Sequence, residues 1–241
     1  MIRKSLGFAA AVLAAATPAL AGQKLVLNGK TASTNVRMIN GSAYVSLADI
    51  ARALGMIVVK RGDSYEITKP GGANQVGGNL QGKVGDLLFD GQWRFQVLSV
   101  QTPDAYSVKT PGMQGLFRGI SSIQNDENTR LVRAAPGFKL VVIQCRMANG
   151  QKSPQTFWLA QSSGVNNALT DTQGESYAPF GYDLEGAPTQ SKTLLPGAGT
   201  SFPILFSVPD ATQLKDLVFT LRNNDFSANK PKVSDVRVSL Q

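Results

Sequence analysis

The chain contains no histidine and only one cysteine. Histidine is the commonest general base and the commonest metal ligand, so its absence excludes the usual catalytic and metal-binding constellations. One cysteine cannot form an intramolecular disulfide, and the sequence has neither a complete GxxxxGK(S/T) phosphate loop nor a GxGxxG dinucleotide motif. These absences indicate a non-catalytic protein. The sequence assigns no catalytic residue, no metal ligand and no cofactor.

The single cysteine, Cys145, lies in an apolar run that has the character of a strand. Counting by two places it on the face that also carries Val141, Ile143 and Met147. We expect Cys145 to be a buried small apolar side chain. A thiolate nucleophile would need a nearby base, and the chain has no histidine to supply one.

The first 21 residues have the three parts of a secretory signal peptide. Arg3 and Lys4 form a basic start, an apolar stretch follows, and Ala19-Leu20-Ala21 is a small-x-small cleavage site. Cleavage is expected before Gly22, which would place the mature protein in the periplasm or outside the cell. The apolar stretch is shorter than the ~20 residues of a membrane span and no later run is long enough, so no transmembrane segment is expected.

The net charge of +8 comes from 24 basic and 16 acidic side chains. The basic residues are scattered, and the densest basic spot in the N-terminal half is Lys60-Arg61. This spacing predicts a solvated surface, with a weak attraction to anionic polymers such as wall polysaccharide or lipid head groups as the alternative. No basic run is interleaved with aromatic residues, so nucleic-acid binding is not expected.

A glycine-rich segment at 70–82 separates two parts of the chain that have different patterns. Five of its thirteen residues are glycine, which is typical of a flexible linker. The domain boundaries predicted from this composition are a first module at 22–69, the linker at 70–82 and a second module at 83–241.

The first module reads as a small α+β unit of antiparallel strands with one helix. A helix is predicted at 47–54, where Ser46 is the N-cap, Asp49 completes a loose capping box and Gly55 is the stop. Strands are predicted at 24–27, 36–39, 43–45, 57–59 and 65–68. Turns are predicted at Asn28-Gly29, Asn40-Gly41 and Gly62-Asp63.

This pattern resembles the copper amine oxidase N-terminal-like domain, a stalk module of secreted bacterial proteins. The resemblance covers about 24–69 and is carried by Asn40-Gly41, Tyr44-Val45-Ser46-Leu47, Ile50-Ala51 and Ala53-Leu54-Gly55. It implies attachment or spacing. It does not imply copper, which belongs to the catalytic domain of amine oxidases, and this chain has no imidazole to hold it.

The second module reads as an immunoglobulin-like β-sandwich made of short strands and regular turns. Alternation within 88–97 places Phe89, Trp93, Phe95 and Val97 on one face. Pro203 has no N–H, so its strand should lie at an edge or its ring should face outward. Further strands are predicted at 138–147, 156–159, 175–177, 201–208, 217–221 and 233–240. Turns are predicted at 171–174 and 195–199.

The same module resembles a family of bacterial exported immunoglobulin-like domains whose relatives include secreted antigens of unknown function. The resemblance is carried by FKLVVIQCRMANGQKSPQTF, DTQGESYAP, LLPGAGTSFPILFSVPD and LKDLVFTLRN. These are structural signatures and imply no chemistry. The segment 101–136 is longer than the family pattern.

Two groups of residues are candidates for a catalytic or metal-binding site. Asp171, Glu175, Asp183 and Glu185 form the only local acidic cluster, expected to be solvated loop acids, with Asp171 and Asp183 as weak calcium candidates. A serine nucleophile in a chain without histidine would need a lysine as its base. Ser153 directly follows Lys152, but adjacent residues in a turn rarely face each other.

The segment 101–136 is long, irregular and rich in apolar side chains among glycines. Loops of this length are either functional or disordered. The hypothesis is that the segment folds over one end of the sandwich and contacts a partner. The alternative is a partly packed connector with a short helix.

Together these observations predict an exported, non-catalytic cell-envelope protein that binds or scaffolds a protein or polysaccharide partner. One alternative is a carboxylate-dependent hydrolase of a cell-wall polymer that uses the acidic cluster. Another is a purely structural envelope or secretion-complex subunit. The oligomeric state and the identity of the ligand stay open.

Overall fold

The computed structural model describes residues 23–70, 73, 80–159, 167–187, 189–222 and 233–241. The expected signal peptide with its cleavage site, and residues 71–72 and 74–79 of the expected linker, lie outside this range. The described residues are mostly β with one α-helix, so the predicted fold class is confirmed. Contacts divide the chain into two compact units, 1–53 and 54–241.

The described part of the first unit, residues 23–53, holds two short hairpins and the helix α1. Its elements are β1 Leu25–Leu27, β2 Lys30–Ser33, β3 Arg37–Ile39, β4 Ser42–Tyr44 and α1 Leu47–Ala53. β1 pairs with β2, and β3 pairs with β4. Each pair turns on an Asn-Gly dipeptide, Asn28-Gly29 or Asn40-Gly41, in which both residues have positive φ. This conformation is the one that two-residue hairpins prefer, so both predicted turns are confirmed.

Helix α1 begins where the sequence predicts. Ser46 Oγ accepts the backbone N–H of Ala48 at 3.2 Å, which satisfies one donor of the first turn. The capping box is wrong, because Asp49 instead accepts the Ser33 hydroxyl at 2.7 Å and the Arg52 guanidinium at 3.2 Å. Ser33 ends β2, a strand that the sequence analysis did not predict.

The second unit begins with a hairpin of β5 Ile57–Arg61 and β6 Ser64–Thr68 around the predicted Gly62-Asp63 turn. Arg61 of the basic pair forms an ion pair with Glu66 in this hairpin, while Lys60 is exposed.

A β-sandwich follows the hairpin. The strands of its front sheet are β8 Leu88–Phe89, β9 Trp93–Gln101, β13 Phe138–Asn149, β17 Gly181–Tyr182 and β19 Gly199–Pro209. The strands of its back sheet are β7 Leu80–Lys83, β15 Ala168–Asp171, β16 Ser176–Tyr177, β20 Leu214–Arg222 and β21 Val233–Ser239. The front sheet has the order β17-β19-β13-β9-β8, and the back sheet has the order β16-β15-β20-β21-β7.

Two smaller sheets complete the unit. The strands β14 Gln155–Trp158 and β18 Ser191–Leu194 pair as a ribbon. The strands β10 Tyr106–Ser107, β12 Leu131–Ala134 and β11 Ile123–Asp126 form a three-stranded sheet in that order.

The main core fills the space between the front and back sheets. Phe95 of the front sheet stacks on Phe219 of the back sheet with ring centroids 4.8 Å apart, and both side chains are buried. In the back sheet, β7 and β21 are parallel, with Leu80 opposite Val236. Residues 80–82, which the sequence analysis placed at the end of the linker, therefore belong to a sheet strand.

The strand predicted at 88–97 is two strands, β8 and β9. Asp90 Oδ1 accepts the backbone N–H groups of Gln92 and Trp93 at 2.8 and 2.7 Å, and this turn interrupts the alternation. As a result Leu88 faces the core and Phe89 is 45% exposed, so the prediction for Phe89 was wrong. The prediction for Trp93, Phe95 and Val97 is confirmed.

Pro203 lies in β19, which is not an edge strand of the front sheet. Phe202 and Ile204 on either side of it point into the main core, so Pro203 lies on the outer face of the front sheet, where it is itself buried. Of the two predictions for this proline, the outward-facing ring is the one that the structure adopts.

The segment 101–136, called the cap segment below, covers part of the outer face of the front sheet. It contributes β10, β11, β12 and a 3-10 helix at Met113–Phe117. Its buried side chains, Val108, Met113, Phe117, Ile123 and Val132, form a second core with Leu140, Val142 and Leu205 of the front sheet. The cap segment is therefore a packed layer and not an irregular loop.

Candidate functional site

A cleft of about 410 Å³ lies between the start of the cap segment and the outer face of the front sheet. The cap segment supplies Gln101, Tyr106 and Lys109, and the front sheet supplies Gln144 and Ser201. The chain just after β17 supplies Asp183 and Glu185. Its polar side chains therefore come from segments that are far apart in the sequence.

Asp183 holds one wall of the cleft in place. Its Oδ2 accepts the Tyr106 hydroxyl at 2.8 Å and the backbone N–H of Lys109 at 2.7 Å, while Oδ1 accepts the backbone N–H of Thr110 at 2.9 Å. The side chain of Thr110 closes the same contact by donating to Leu184 O at 3.1 Å. The expectation that Asp183 is a solvated loop acid is wrong: the residue is 2% exposed because the cap segment packs over it.

Tyr106 stays a neutral phenol in this arrangement. Burial is the largest cause that raises the pKa of Tyr106, and the hydrogen bond to the Asp183 carboxylate raises that pKa further. The phenol is therefore a fixed donor to Asp183 and not a base. Its ring forms part of the cleft wall.

The groups that remain available in the cleft are mixed in character. Lys109 and Glu185 are exposed and of opposite charge, and Gln101 and Ser201 are exposed neutral groups. A surface with one cation, one anion and several amides and hydroxyls can bind a polar ligand that carries both donors and acceptors.

The other two acids of the predicted cluster lie elsewhere. Asp171 Oδ1 accepts the backbone N–H groups of Gln173 and Glu175 at 2.9 and 2.8 Å, and its Oδ2 accepts the Tyr177 hydroxyl at 3.1 Å. Glu175 forms an exposed ion pair with Lys69 at 2.7 Å. Asp171 is 4% exposed and closes the turn after β15, so for this residue too the prediction of a solvated acid is wrong.

The four acids thus form two pairs on different sheets. Asp171 ends β15 of the back sheet and Glu175 directly precedes β16, whereas Asp183 and Glu185 follow a strand of the front sheet. Within the described ranges, no three His, Cys, Asp or Glu side chains are grouped so that they could hold a metal ion.

The two residues considered as nucleophiles, Cys145 and Ser153, both lie in surroundings that do not activate them. Cys145 is fully buried in the main core with Val141, Ile143 and Met147, so that prediction is confirmed. Burial raises the pKa of the Cys145 thiol well above its ordinary value. The Ser153 hydroxyl accepts the Gln155 side-chain amide at 2.9 Å.

Tyr106, Lys109 and Thr110 were not predicted as site residues, although the cap segment that contains them was predicted to contact a partner. Tyr106, Lys109 and Thr110 meet Asp183 across more than 70 positions of the chain. The local signal for Tyr106 was an aromatic residue in a long irregular segment, and that signal does not identify its partner.

No family model matches this sequence, and no curated protein matches it either. Among solved structures, an uncharacterized β-sandwich protein from Clostridium difficile 630 is similar, with a TM-score of 0.41 and 11% identity over 73% of this chain and 100% of that chain. The yjhA protein from Bacillus subtilis has a TM-score of 0.38 and 15% identity, with 66% and 98% covered. A conserved hypothetical protein from Bacillus anthracis has a TM-score of 0.37 and 14% identity, with 66% and 94% covered.

These likenesses are too distant to carry an inference about function. No helix formed by the described residues is long and apolar enough to cross a membrane.

Proposed function

We propose that this chain is an exported, non-catalytic protein of the bacterial cell envelope that binds a protein or polysaccharide in the cleft of its front sheet. The observation that carries the proposal is the cleft wall fixed by Asp183, which holds the Tyr106 side chain and the Lys109 backbone in place before any ligand arrives. A preorganised wall favours binding because little conformational entropy is lost when the ligand docks.

The size and chemistry of the cleft support this proposal. Its volume of about 410 Å³ lies within the ~300–1,000 Å³ typical of ligand clefts. The exposed groups are polar and of both charges, which suits a peptide or sugar better than a purely apolar ligand. The two buried acids, Asp171 and Asp183, use their oxygens to accept N–H and O–H groups of the chain itself.

Two further parts of the proposal rest on the sequence. The signal-like segment supports export with cleavage before Gly22. The stalk resemblance of 24–69 supports an attachment or spacing role for this part of the chain. N-terminal sequencing of the protein recovered from a bacterial periplasm tests the first part, and an uncleaved N-terminus would refute it.

The cleft is tested by filling it. Ser201→Trp adds a large side chain at an exposed position of the cleft and leaves the main core unchanged. Ser153→Trp makes the same change at an exposed position that is not among the cleft residues. Purified protein and both variants are immobilised and incubated with a bacterial envelope fraction, and the retained proteins and sugars are identified.

We expect the unmodified protein and Ser153→Trp to retain the same component, and Ser201→Trp to lose it. Equal retention by all three would show that the cleft is not the binding site. If none retains a component above the level of the empty resin, the binding role itself is refuted.

A further inference from the structure

The ribbon of β14 and β18 exposes a tryptophan. Trp158 is 54% exposed, while its neighbours Phe157 and Leu159 are buried in the main core. Side chains alternate along a strand, so Trp158 stands on the outer face of the ribbon. The other tryptophan of the chain, Trp93, is buried in the main core.

Hydroxyl groups surround this tryptophan. Ser191 lies directly opposite Trp158 across the ribbon, and Thr193 lies opposite Thr156. The hydroxyls of Thr156 and Thr193 are 2.6 Å apart, and those of Thr189 and Ser191 are 3.0 Å apart. Each pair uses one O–H internally, so each pair keeps one O–H and several lone pairs for a ligand.

The outer face of the ribbon is neutral in a chain whose net charge is +8. The residues that form it are Thr156, Trp158, Thr189, Ser191 and Thr193, and this set is called the ribbon face. Lys192 belongs to the opposite face by strand alternation, and its ammonium lies 3.4 Å from the Thr200 hydroxyl. A neutral face complements a neutral ligand, because a charged ligand would find no counter-charge among these five side chains.

An exposed indole beside hydroxyl groups fits one class of partner. A pyranose ring has a flat C–H face that packs on an aromatic ring and a rim of hydroxyls that donate and accept hydrogen bonds. A hydrophobic protein partner that packed on Trp158 would instead meet the four hydroxyl groups of the ribbon face around the indole. About 6.6 Å of strand separates Thr156 from Trp158, so hydroxyls and indole lie close enough to contact one sugar ring or two consecutive rings.

We propose that the ribbon face binds a neutral polysaccharide by stacking a sugar ring on Trp158. Ser191, Thr193 and Thr156 hydrogen-bond to the hydroxyls of the sugar. This inference names a partner class within the proposed binding role, but it uses a surface other than the cleft. It can therefore hold or fail independently of the cleft.

Retention of the purified full chain on insoluble cellulose, chitin and a β-1,3-glucan tests the proposal. Trp158→Ala should weaken retention about tenfold on the polymer that binds, because the stacking surface is lost. Trp158→Phe should keep most of the retention, and Thr193→Val should lower it by a smaller factor. Leu195→Ala removes another exposed apolar side chain, 65% exposed, and should change nothing.

The outcomes separate the two proposals. Ser201→Trp, which fills the cleft, should leave retention on the polymer unchanged. Equal retention of Trp158→Ala and the unmodified protein, or no retention of the unmodified protein on any of the three polymers, overturns the ribbon-face proposal. Loss of an envelope protein in Trp158→Ala without any binding to polymer would identify a protein-docking surface and would also overturn it. Unchanged circular dichroism excludes misfolding of each variant.

Discussion

Replacing Asp183 with alanine removes a single carboxylate and leaves three donors without an acceptor. The donors are the Tyr106 hydroxyl and the backbone N–H groups of Lys109 and Thr110. Thr110 is fully buried, so water cannot replace the carboxylate at its N–H group. Tyr106 is partly buried in the wall of an open cleft, so water can reach its hydroxyl more easily.

The expected loss in the free energy of unfolding of Asp183→Ala follows from these three contacts. An unsatisfied buried donor costs ~1–3 kcal/mol, and the two backbone donors together account for most of an expected loss of about 3–4 kcal/mol in the free energy of unfolding. Tyr106→Phe removes one donor and leaves Asp183 with two, so we expect a loss of about 1 kcal/mol. The double variant should lose less than the sum of the single losses, because the two residues share one hydrogen bond.

Equilibrium urea unfolding, followed by the fluorescence of the buried Trp93, measures these losses. Glu185→Ala is the matched control, since it removes an exposed carboxylate two positions away and should change stability by no more than ~0.5 kcal/mol. If Asp183→Ala unfolds at the same urea concentration as Glu185→Ala, Asp183 does not hold the cap segment to the front sheet.

Three other predictions concern the second unit. The buried Cys145 thiol should not react with a disulfide reagent in the native protein at mildly alkaline pH, but should react fully in urea. Burial would raise the pKa of Glu66, yet hydrogen bonding and charge from Lys215 and a neighbouring arginine lower it below its ordinary 4.5. Glu66→Gln should therefore reduce stability at neutral pH, and its difference from the unmodified protein should vanish as the pH falls through the lowered folded-state pKa. Gly181→Ala places a methyl group closer to the ring of Phe117 than van der Waals contact allows, so it should destabilise the protein by ~1–3 kcal/mol in thermal unfolding.

Each of these three predictions has an outcome that would contradict it. Rapid labelling of native protein would mean that Cys145 is reached without unfolding. A stability difference for Glu66→Gln that persists in acid would mean that its ionised form is not what stabilises the hairpin. Gly115→Ala is the control for Gly181→Ala, because nothing lies within 4 Å of the added methyl group, and equal stability of the two variants would exclude the clash.

Local features of the fold were predictable where neighbouring residues determine them. The Asn28-Gly29 and Asn40-Gly41 turns follow from two residues each, because both positions need positive φ. The alternation of Val141, Ile143 and Cys145 predicts a core strand, since one face of the strand is buried along its whole length.

The cleft was not predictable in the same way. Burial of Asp183 depends on residues of the cap segment more than 70 positions away. The residues next to Asp183 in the sequence do not predict that contact. Phe89 was misassigned for a related reason. The turn at Asp90 shifts which residues face the core, and continuous alternation gives no sign of that interruption.

The parallel pairing of β7 with β21 has a consequence for the order in which the chain folds. Among the described strands of the sandwich β7 comes first in the chain and β21 comes last, so the back sheet stays incomplete until the chain through β21 is available. Contacts between residues this distant in the sequence make folding slow. The long chain between the two strands loses conformational entropy before their pairing contributes any stabilisation. For the exported chain proposed above, the β7–β21 pair forms only after β21 has also reached the far side of the membrane.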